Sequence, residues 1–315
     1  MTGVRERPEG LTDETVLDLV SSCWLGAVDQ VTHLPVGFGA HHWRAERAGV
    51  PVWFVTYDEL GSRHDLDSLT AAYAGAMELA AQGLEFVLAP ARTLAGDVVV
   101  PVAGGALSCT PWVDGAVVGD GALTDDATAA ANVADLRRLH AAPVPVGIPR
   151  WRPLVGADLS GRLAVLLAQA WDTGPYGEPA RTAVAARLAE IDDWTSRYLR
   201  LADGADDRAW VATHGETHTA NQLRTAEGIR FVDWESLKLA PRERDLSTLV
   251  QAGHGTDVDA DPAMVELFDL EWRLSEIDEY AHWFAAPHSG TDDDRVAYGG
   301  LLEELARDPW WPTGP

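Results

Sequence analysis

The chain has 315 residues, of which 46% are hydrophobic and 23% charged, and its formal net charge is −25. This length and composition predict a globular protein with room for two lobes. The negative charge argues against a nucleic-acid partner, which would require a basic surface. It would suit a cationic substrate, but acidic residues are spread along most of the chain, which favours a general acidic bias in composition. The N-terminus lacks an apolar core, and no run approaches the roughly 18 apolar residues of a membrane span. Cys23 and Cys109 form no disulfide framework or zinc motif, so we expect a cytoplasmic protein without membrane contact.

The first third of the chain predicts a small sheet with one or two helices. The elements expected in chain order are a helix from Thr12 or Asp13, two strands joined by a glycine-bearing connection at 34–43, a buried strand at 50–56, a helix at 66–80 stopped by Gly83, strands at 86–88 and 98–102, and a crossover at 107–115. Pro111 and Gly115 punctuate that crossover.

From Thr124 onward the pattern is mostly helical. Asp125 and Asp126 open a predicted helix, and basic residues lie near its end, which suits the helix dipole. Two helices are expected within 158–201, separated by a break at 174–179. A further helix at 267–284 carries many acids, among them Glu271 and Glu276, and we expect these acids to form a solvated face. The end of the chain, 308–312, is expected to be mobile.

One stretch breaks every helical or strand period and concentrates polar side chains. It is His-Gly-Glu-Thr-His-Thr-Ala-Asn at 214–221, between two short apolar runs, and the second run leads into Asp-Trp-Glu at 233–235. We therefore expect a loop and a strand end to present Glu216, Asn221 and Asp233 to one cleft. Two carboxylates and an amide oxygen suit Mg²⁺, and they also suit phosphoryl transfer to a hydroxyl group.

These residues carry a family resemblance. His-Gly-Glu-x-His-x-x-Asn followed by Asp-Trp-Glu resembles the catalytic and metal-binding segments of the aminoglycoside phosphotransferase and choline kinase group. The segment at 239–246 makes the spectinomycin phosphotransferase branch the closest in character. The resemblance implies that Glu216 stands at the catalytic acid, Asn221 and Asp233 at metal ligands with Glu235 assisting, and Asp245 at a structural acid. The family has Asp where this chain has Glu216, and an extra methylene shifts the carboxylate by about one bond length.

The resemblance also implies a fold and a division of the chain. The fold is α+β and bilobal, like a protein kinase, with a small antiparallel-sheet lobe and a larger, mostly helical lobe. Residues 1–109 would form the nucleotide-binding lobe, 110–115 the crossover, and 116–315 the catalytic and acceptor-binding lobe. Nucleotide contacts are expected at the following positions: Gly37, Gly39, Thr56, Thr110 and Trp112.

The chain departs from the family at the phosphate-binding lysine. In the family this lysine lies on the strand expected here at 50–56, where Thr56 occupies the aligned position. Lys238 is the sole lysine of the chain and lies elsewhere. Either Arg44 or another arginine substitutes, or the backbone and a metal hold the phosphates, or nucleotide binding is weak or lost; arginine is not equivalent to a compact ammonium group. Glu78 is a candidate for the helix acid that pairs with this lysine, but without a lysine partner we expect its side chain to be exposed to solvent.

Other chemistries fit the sequence less well. A zinc deaminase needs Pro-Cys-x-x-Cys, a zincin needs His-Glu-x-x-His on a helix, and a serine hydrolase needs Gly-x-Ser-x-Gly. None occurs, and structural roles are expected for His214 and His218. The function expected is Mg²⁺-dependent transfer of a phosphoryl group from ATP or GTP to a hydroxyl of a small molecule, such as a cationic aminoglycoside or aminocyclitol. The alternative is a catalytically silent kinase-like module that binds a ligand or partner.

Overall fold

The computed structural model describes residues 7–8, 10–36, 39–61, 64–119 and 122–307. The chain divides into two compact units, Met1–Trp151 with Trp210–Asp257, and Arg152–Ala209 with Val258–Pro315. The first unit contains every strand that the structure describes, whereas the described part of the second is helical. The predicted α+β class is confirmed. The lobe boundaries at 109 and 115 remain a prediction, and the segment at 308–312 lies outside the described residues.

The first unit begins with a helix and a five-stranded antiparallel sheet. Helix α1 (Asp13–Cys23) starts where it was predicted, because the Thr12 hydroxyl accepts a hydrogen bond from the N–H of Thr15. The sheet has the order β1-β2-β3-β5-β4, and its strands are β1 (Gln30–Leu34), β2 (Ala40–Arg47), β3 (Val50–Glu59), β4 (Val100–Val102) and β5 (Gly105–Pro111). Strand β3 is therefore three residues longer than predicted, and β5 begins before the predicted crossover.

The two faces of this sheet differ in chemistry. One face packs against α1 and forms an apolar core that includes Trp43, Val55 and Tyr57. The opposite face carries a cross-strand row of His42, Thr56 and Ser108, all three buried. Burial lowers the pKa of His42 to about 3, so its ring is neutral at physiological pH.

Helix α2 (Leu66–Ala81) follows the third strand and packs closely on the rest of the unit. A capping box between Asp65 and Ser68 fixes its start. Gly75 lies at a close approach, since a Cβ atom there would lie 2.8 Å from Cδ2 of Leu237. The predicted strand at 86–88 is wrong: this segment is turn-like, and its one strand-type pairing with a described residue is a bridge from Val87 to Phe231.

The remaining elements of the first unit surround the polar loop at 214–221. They are β6 (Ala116–Val117), α3 (Asp126–Ala141), β7 (Trp210–Thr213), β8 (Gln222–Thr225), β9 (Gly228–Phe231), β10 (Lys238–Pro241) and the short helix α6 (Ser247–Leu249). Strand β7 pairs with β10, and β8 pairs with both β6 and β9, all antiparallel. The loop thus joins two small sheets, and the end of β9 delivers Asp233, as predicted.

The second unit is built from long helices. Its helices are α4 (Leu159–Leu167), α5 (Gly177–Ala202), α8 (Pro262–Ala285) and α9 (Asp292–Ala306), and a one-turn helix, α7 (Gly255–Val258), lies at its boundary. The expectation of a solvated acidic face on α8 is wrong for Glu271 and Glu276, which are buried. Glu271 is satisfied by a hydrogen bond of 2.5 Å from the hydroxyl of Tyr198. Among the described residues, no helix combines the length and apolarity needed to cross a bilayer.

His42 yields a prediction about acid stability. Its pKa is about 3 in the folded protein, against 6.5 for a histidine exposed to water, so its neutral form contributes stability above pH 6.5 that is lost as the pH falls. Between pH 7 and pH 5 the free energy of unfolding should fall by about 2 kcal/mol more in wild type than in His42→Gln. Denaturant unfolding followed by tryptophan fluorescence at both pH values measures this difference. Parallel pH profiles would contradict it.

Candidate active site

The loop at 214–221 depends on one buried carboxylate, that of Asp245. It accepts hydrogen bonds from the backbone N–H groups of His214 (3.1 Å) and Gly215 (2.6 Å), and its Oδ2 lies 2.9 Å from Nε2 of His140 on α3. Burial alone would raise the pKa of Asp245, but these hydrogen bonds and the neighbouring histidines hold it below its usual value. Asp245 therefore stays ionised and fixes the start of the loop.

The ring of His214 connects this loop to the segment after β9. His214 is fully buried, and its Nε2 lies 2.8 Å from the carbonyl oxygen of Val232. Its Nδ1 accepts a hydrogen bond of 3.2 Å from the N–H of Glu216. These two bonds assign the neutral tautomer protonated on Nε2, and burial lowers the pKa of His214 accordingly. The ring positions the backbone of Glu216.

Gly215 allows the loop to turn between these two anchors. Its φ of +95° lies in the region that favours glycine. A Cβ atom at this position would also overlap the guanidinium group of Arg244, which donates a hydrogen bond to the hydroxyl of Thr213 at 3.0 Å. The sequence His-Gly-Glu thus places Glu216 just after a turn that a larger residue would disturb.

Three carboxylates converge beyond this turn. Oxygen atoms of Glu216, Asp233 and Glu235 all lie within 4.8 Å of one another. Asp233 has a left-handed backbone (φ 68°, ψ 62°) and begins a 3-10 turn, Trp234–Ser236, that directs Glu235 toward the same point. The hydroxyl of Ser236 lies 3.0 Å from Oε1 of Glu216 and 3.1 Å from Oε1 of Glu235. We refer to Glu216, Asp233 and Glu235 as the carboxylate cluster.

The electrostatics of the carboxylate cluster favour a cation. Burial raises the pKa of Asp233, and the charge of Glu216 adds to this effect. Burial and the charges of Asp233 and Glu216 raise the pKa of Glu235 well above its usual value. A side-chain hydrogen bond between Asp233 and Glu235 contributes to both shifts. Oε2 of Glu235 is buried and receives no N–H or hydroxyl hydrogen bond from the described residues. A hard cation would relieve the repulsion and satisfy this oxygen, so the residues present fit Mg²⁺.

Asn221 lies beside the cluster and is buried. Its side-chain Nδ2 donates a hydrogen bond of 3.1 Å to the carbonyl oxygen of Glu216, and its own backbone carbonyl accepts one of 3.0 Å from the N–H of Val232. The side-chain nitrogen thus closes the loop on itself, which leaves the side-chain oxygen as the atom available to a cation. Nε2 of His218 lies 3.8 Å from Oε2 of Glu216.

The predicted nucleotide contacts lie apart from this cluster in the sequence. Thr56 is buried on β3, with its hydroxyl 3.3 Å from Nδ1 of His42, and Thr110 pairs across the strands with Phe54. The backbone N–H of Trp112 donates a hydrogen bond of 2.9 Å to the carbonyl of Val52.

Two glycines were predicted to contact the nucleotide phosphates. Gly39 has a φ of +96°, as a tight glycine turn requires. Gly37 lies outside the described residues.

Two residues near the cluster were missed by the sequence analysis. Asp58, at the end of β3, accepts a hydrogen bond of 2.8 Å from the hydroxyl of Tyr73 on α2. Both are buried, and the charge of Asp233 acts on both. Side chains alternate between the two faces of a strand, so a predicted strand that continued to Glu59 would have placed Asp58 on the same face as Thr56. Glu78, the candidate helix acid, accepts a hydrogen bond of 3.3 Å from the N–H of Val146.

A family model described as the phosphotransferase enzyme family matches residues 32–283. The chain belongs to this family. Protein StrN of Streptomyces griseus is 30% identical over 268 residues, which cover 81% of each chain. Membership of the phosphotransferase enzyme family confirms the predicted class, a phosphotransferase of the small-molecule kinase type.

Solved structures confirm the predicted protein-kinase-like fold. A spectinomycin phosphotransferase in complex with ADP and spectinomycin superposes with a TM-score of 0.71 at 16% identity, over 96% of each chain. A choline/ethanolamine kinase family protein from Mesorhizobium loti gives a TM-score of 0.57 at 17% identity, over 94% of this chain and 95% of that chain. Because these identities are low, the two structures show the fold of this phosphotransferase and nothing about its substrate.

The Asp245 anchor can be tested by a single substitution. In Asp245→Asn the side-chain NH₂ group would face the N–H groups of His214 and Gly215 or the ring of His140. The hydrogen bonds that the buried carboxylate makes with these groups would be lost or weakened. We expect a loss of about 3 kcal/mol in the free energy of unfolding. The measurement is denaturant unfolding. Asp125→Asn is the matched control, because Asn and Asp cap a helix about equally well; equal losses in the two variants would rule out the proposed anchor role.

Proposed function

We propose that this protein transfers the γ-phosphoryl group of ATP or GTP to a hydroxyl group of a small molecule. The observation that carries the proposal is the convergence of Glu216, Asp233 and Glu235 within 4.8 Å, on a loop and a turn fixed by Asp245 and His214. Phosphoryl transfer relies mainly on positioning of the reacting groups and on charge neutralisation. The hydrogen-bonded loop and turn would position the carboxylates, and the negative charge of these carboxylates calls for a cation.

Separate roles are proposed for the members of the site. Asp233 and Glu235, with the side-chain oxygen of Asn221, would hold Mg²⁺. When bound, this ion supplies charge neutralisation at the transferred phosphoryl group. Glu216 is proposed to orient the acceptor hydroxyl and to accept its proton. Ser236 supports this role, since its hydroxyl contacts the Oε1 atoms of both Glu216 and Glu235 and so fixes their separation.

The acceptor class proposed is a cationic hydroxylated amine, such as an aminocyclitol or aminoglycoside. A formal net charge of −25 supports it, because an acidic surface concentrates cations. A further support is the fold shared with a protein whose structure contains spectinomycin. Thermal unfolding with Mg-ATP and with Mg-GTP distinguishes the two phosphoryl donors.

Two substitutions separate the roles of the carboxylates. Glu216→Gln should lower kcat by about 10² to 10⁴-fold, since it removes the group that accepts the proton, while nucleotide binding persists. Asp233→Asn should abolish the Mg²⁺-dependent stabilisation by nucleotide, which is about 2.7 kcal/mol at 100 times the dissociation constant. The measurements are phosphoryl transfer to a panel of aminocyclitols and aminoglycosides, and thermal unfolding with Mg-ATP and Mg-GTP.

The control is Glu227→Gln, which alters an exposed acid in the turn between β8 and β9 and should leave both measurements unchanged. Nucleotide-dependent stabilisation without phosphoryl transfer to any acceptor would favour the alternative, a catalytically silent ligand-binding module. Absence of stabilisation by either nucleotide at millimolar concentration would contradict the proposed function.

A further inference from the structure

A hydrogen-bonded pair joins strand β3 to helix α2 next to the carboxylate cluster. Asp58 lies two residues after Thr56, on the same face of the strand, and Tyr73 lies on α2. The Tyr73 hydroxyl donates to Oδ2 of Asp58 at 2.8 Å. Asp58 and Tyr73 are each 4% exposed. A buried hydrogen bond to a carboxylate is strong and directional, so it constrains both elements.

Helix α2 is also in contact with the turn that carries two members of the cluster. It packs against Trp234–Ser236, and Gly75 brings its backbone close to the side chain of Leu237. Helix α2 is thus in contact with β3 through Tyr73 on one side and with the turn that follows Asp233 on the other. The position of α2 is thereby linked to that of the turn that carries Glu235.

The charges that act on this pair are negative. Burial and the charge of Asp233 raise the pKa of Asp58 to about 7. Burial, with the charges of Asp58, Glu235 and Asp233, raises the pKa of Tyr73 well above its usual value, so its hydroxyl keeps its proton and donates. The single lysine of the chain, Lys238, lies on β10 and cannot reproduce the strand lysine of the family at Thr56.

We propose that Asp58 and Tyr73 form a positioning pair that holds α2, and with it the Asp233–Glu235 turn, against β3. The pair joins the same two elements, β3 and α2, that the family resemblance implies are joined by an ion pair between a lysine and an acid, but at positions other than Thr56 and Glu78. This inference rests on the proposed function, since it assigns Asp233 and Glu235 to the cation that accompanies the nucleotide. Because the pair adds no positive charge, neither residue can replace the phosphate contact of that lysine, and the pair acts on nucleotide binding only through the residues that would hold Mg²⁺.

The test compares two tyrosine-to-phenylalanine substitutions. The probe is ADP or GDP, and the readout is the Mg²⁺ concentration that gives half-maximal nucleotide binding, measured by calorimetry on the full chain. Tyr73→Phe should raise this concentration by about 10 to 100-fold, the range typical of residues that orient metal ligands. The matched control is Tyr57→Phe. Tyr57 is also buried, and its hydroxyl donates a hydrogen bond of the same length, 2.8 Å, to the carbonyl of Ala103.

Tyr57 lies on the opposite face of the same strand, so Tyr57→Phe should lower stability without changing the Mg²⁺ requirement. Equal Mg²⁺ requirements in Tyr73→Phe and Tyr57→Phe would overturn the inference. Wild-type protein that binds neither nucleotide with Mg²⁺ would instead overturn the proposed function, which makes the two failures distinguishable.

Substitutions of Asp58 separate a hydrogen bond from a charge. Asp58→Asn keeps an oxygen that can accept from Tyr73 and should bind nucleotide with a Mg²⁺ requirement close to that of wild type. Asp58→Ala should match Tyr73→Phe, and the double variant Asp58→Ala/Tyr73→Phe should be no worse than either, because both remove the same interaction. A loss in Asp58→Asn as large as that in Asp58→Ala would overturn the positioning role, because charge would then be what Asp58 contributes.

Discussion

The polar loop at 214–221 depends on the buried carboxylate of Asp245. Asp245 is fully buried and ionised, and its hydrogen bonds fix the backbone of His214 and Gly215 and the ring of His140. A buried charge is tolerated only where hydrogen bonds replace its hydration. The hydrogen bonds that stabilise the charge of Asp245 therefore also fix the loop backbone and the ring of His140. This arrangement also positions Glu216, because the backbone N–H of Glu216 donates a hydrogen bond to Nδ1 of His214.

The second constraint is the strained turn that begins at Asp233. A left-handed conformation is uncommon for a non-glycine residue, although Asp adopts it more readily than most, and Asp233 adopts it with a raised pKa and two neighbouring carboxylates. The unusual backbone conformation and the charge repulsion thus fall on the same residue. The rings of Trp234 and His214, whose centroids are 4.5 Å apart, pack beside it and stabilise this conformation. Strain and charge repulsion at one point are typical of a site that is completed by a ligand.

The sequence predicted the parts of this site that follow from local rules. Polar residues breaking an apolar pattern placed the loop, and the apolar run of β9 placed Asp233 at a strand end, because both signals are contained within a few residues. Asp58 and Tyr73 could not be found in this way. Tyr73 fits the apolar spacing of α2, and its hydroxyl acquires a role only because β3 extends to Glu59 and brings Asp58 beside it. The burial of Glu271 likewise depends on Tyr198, 73 positions away in the sequence, which no local pattern encodes.

The energetics of burial explain how β3 and α2 can be joined without a strand lysine. A lysine and an acid buried together each lose their hydration, and their attraction offsets this loss only in good geometry. A tyrosine hydroxyl bonded to a carboxyl group near Asp233 involves less charge to desolvate, and the raised pKa of Asp58 reduces that charge further. The link between strand and helix can therefore be kept without a buried cation, but neither Asp58 nor Tyr73 can neutralise the phosphate charge that a lysine would neutralise.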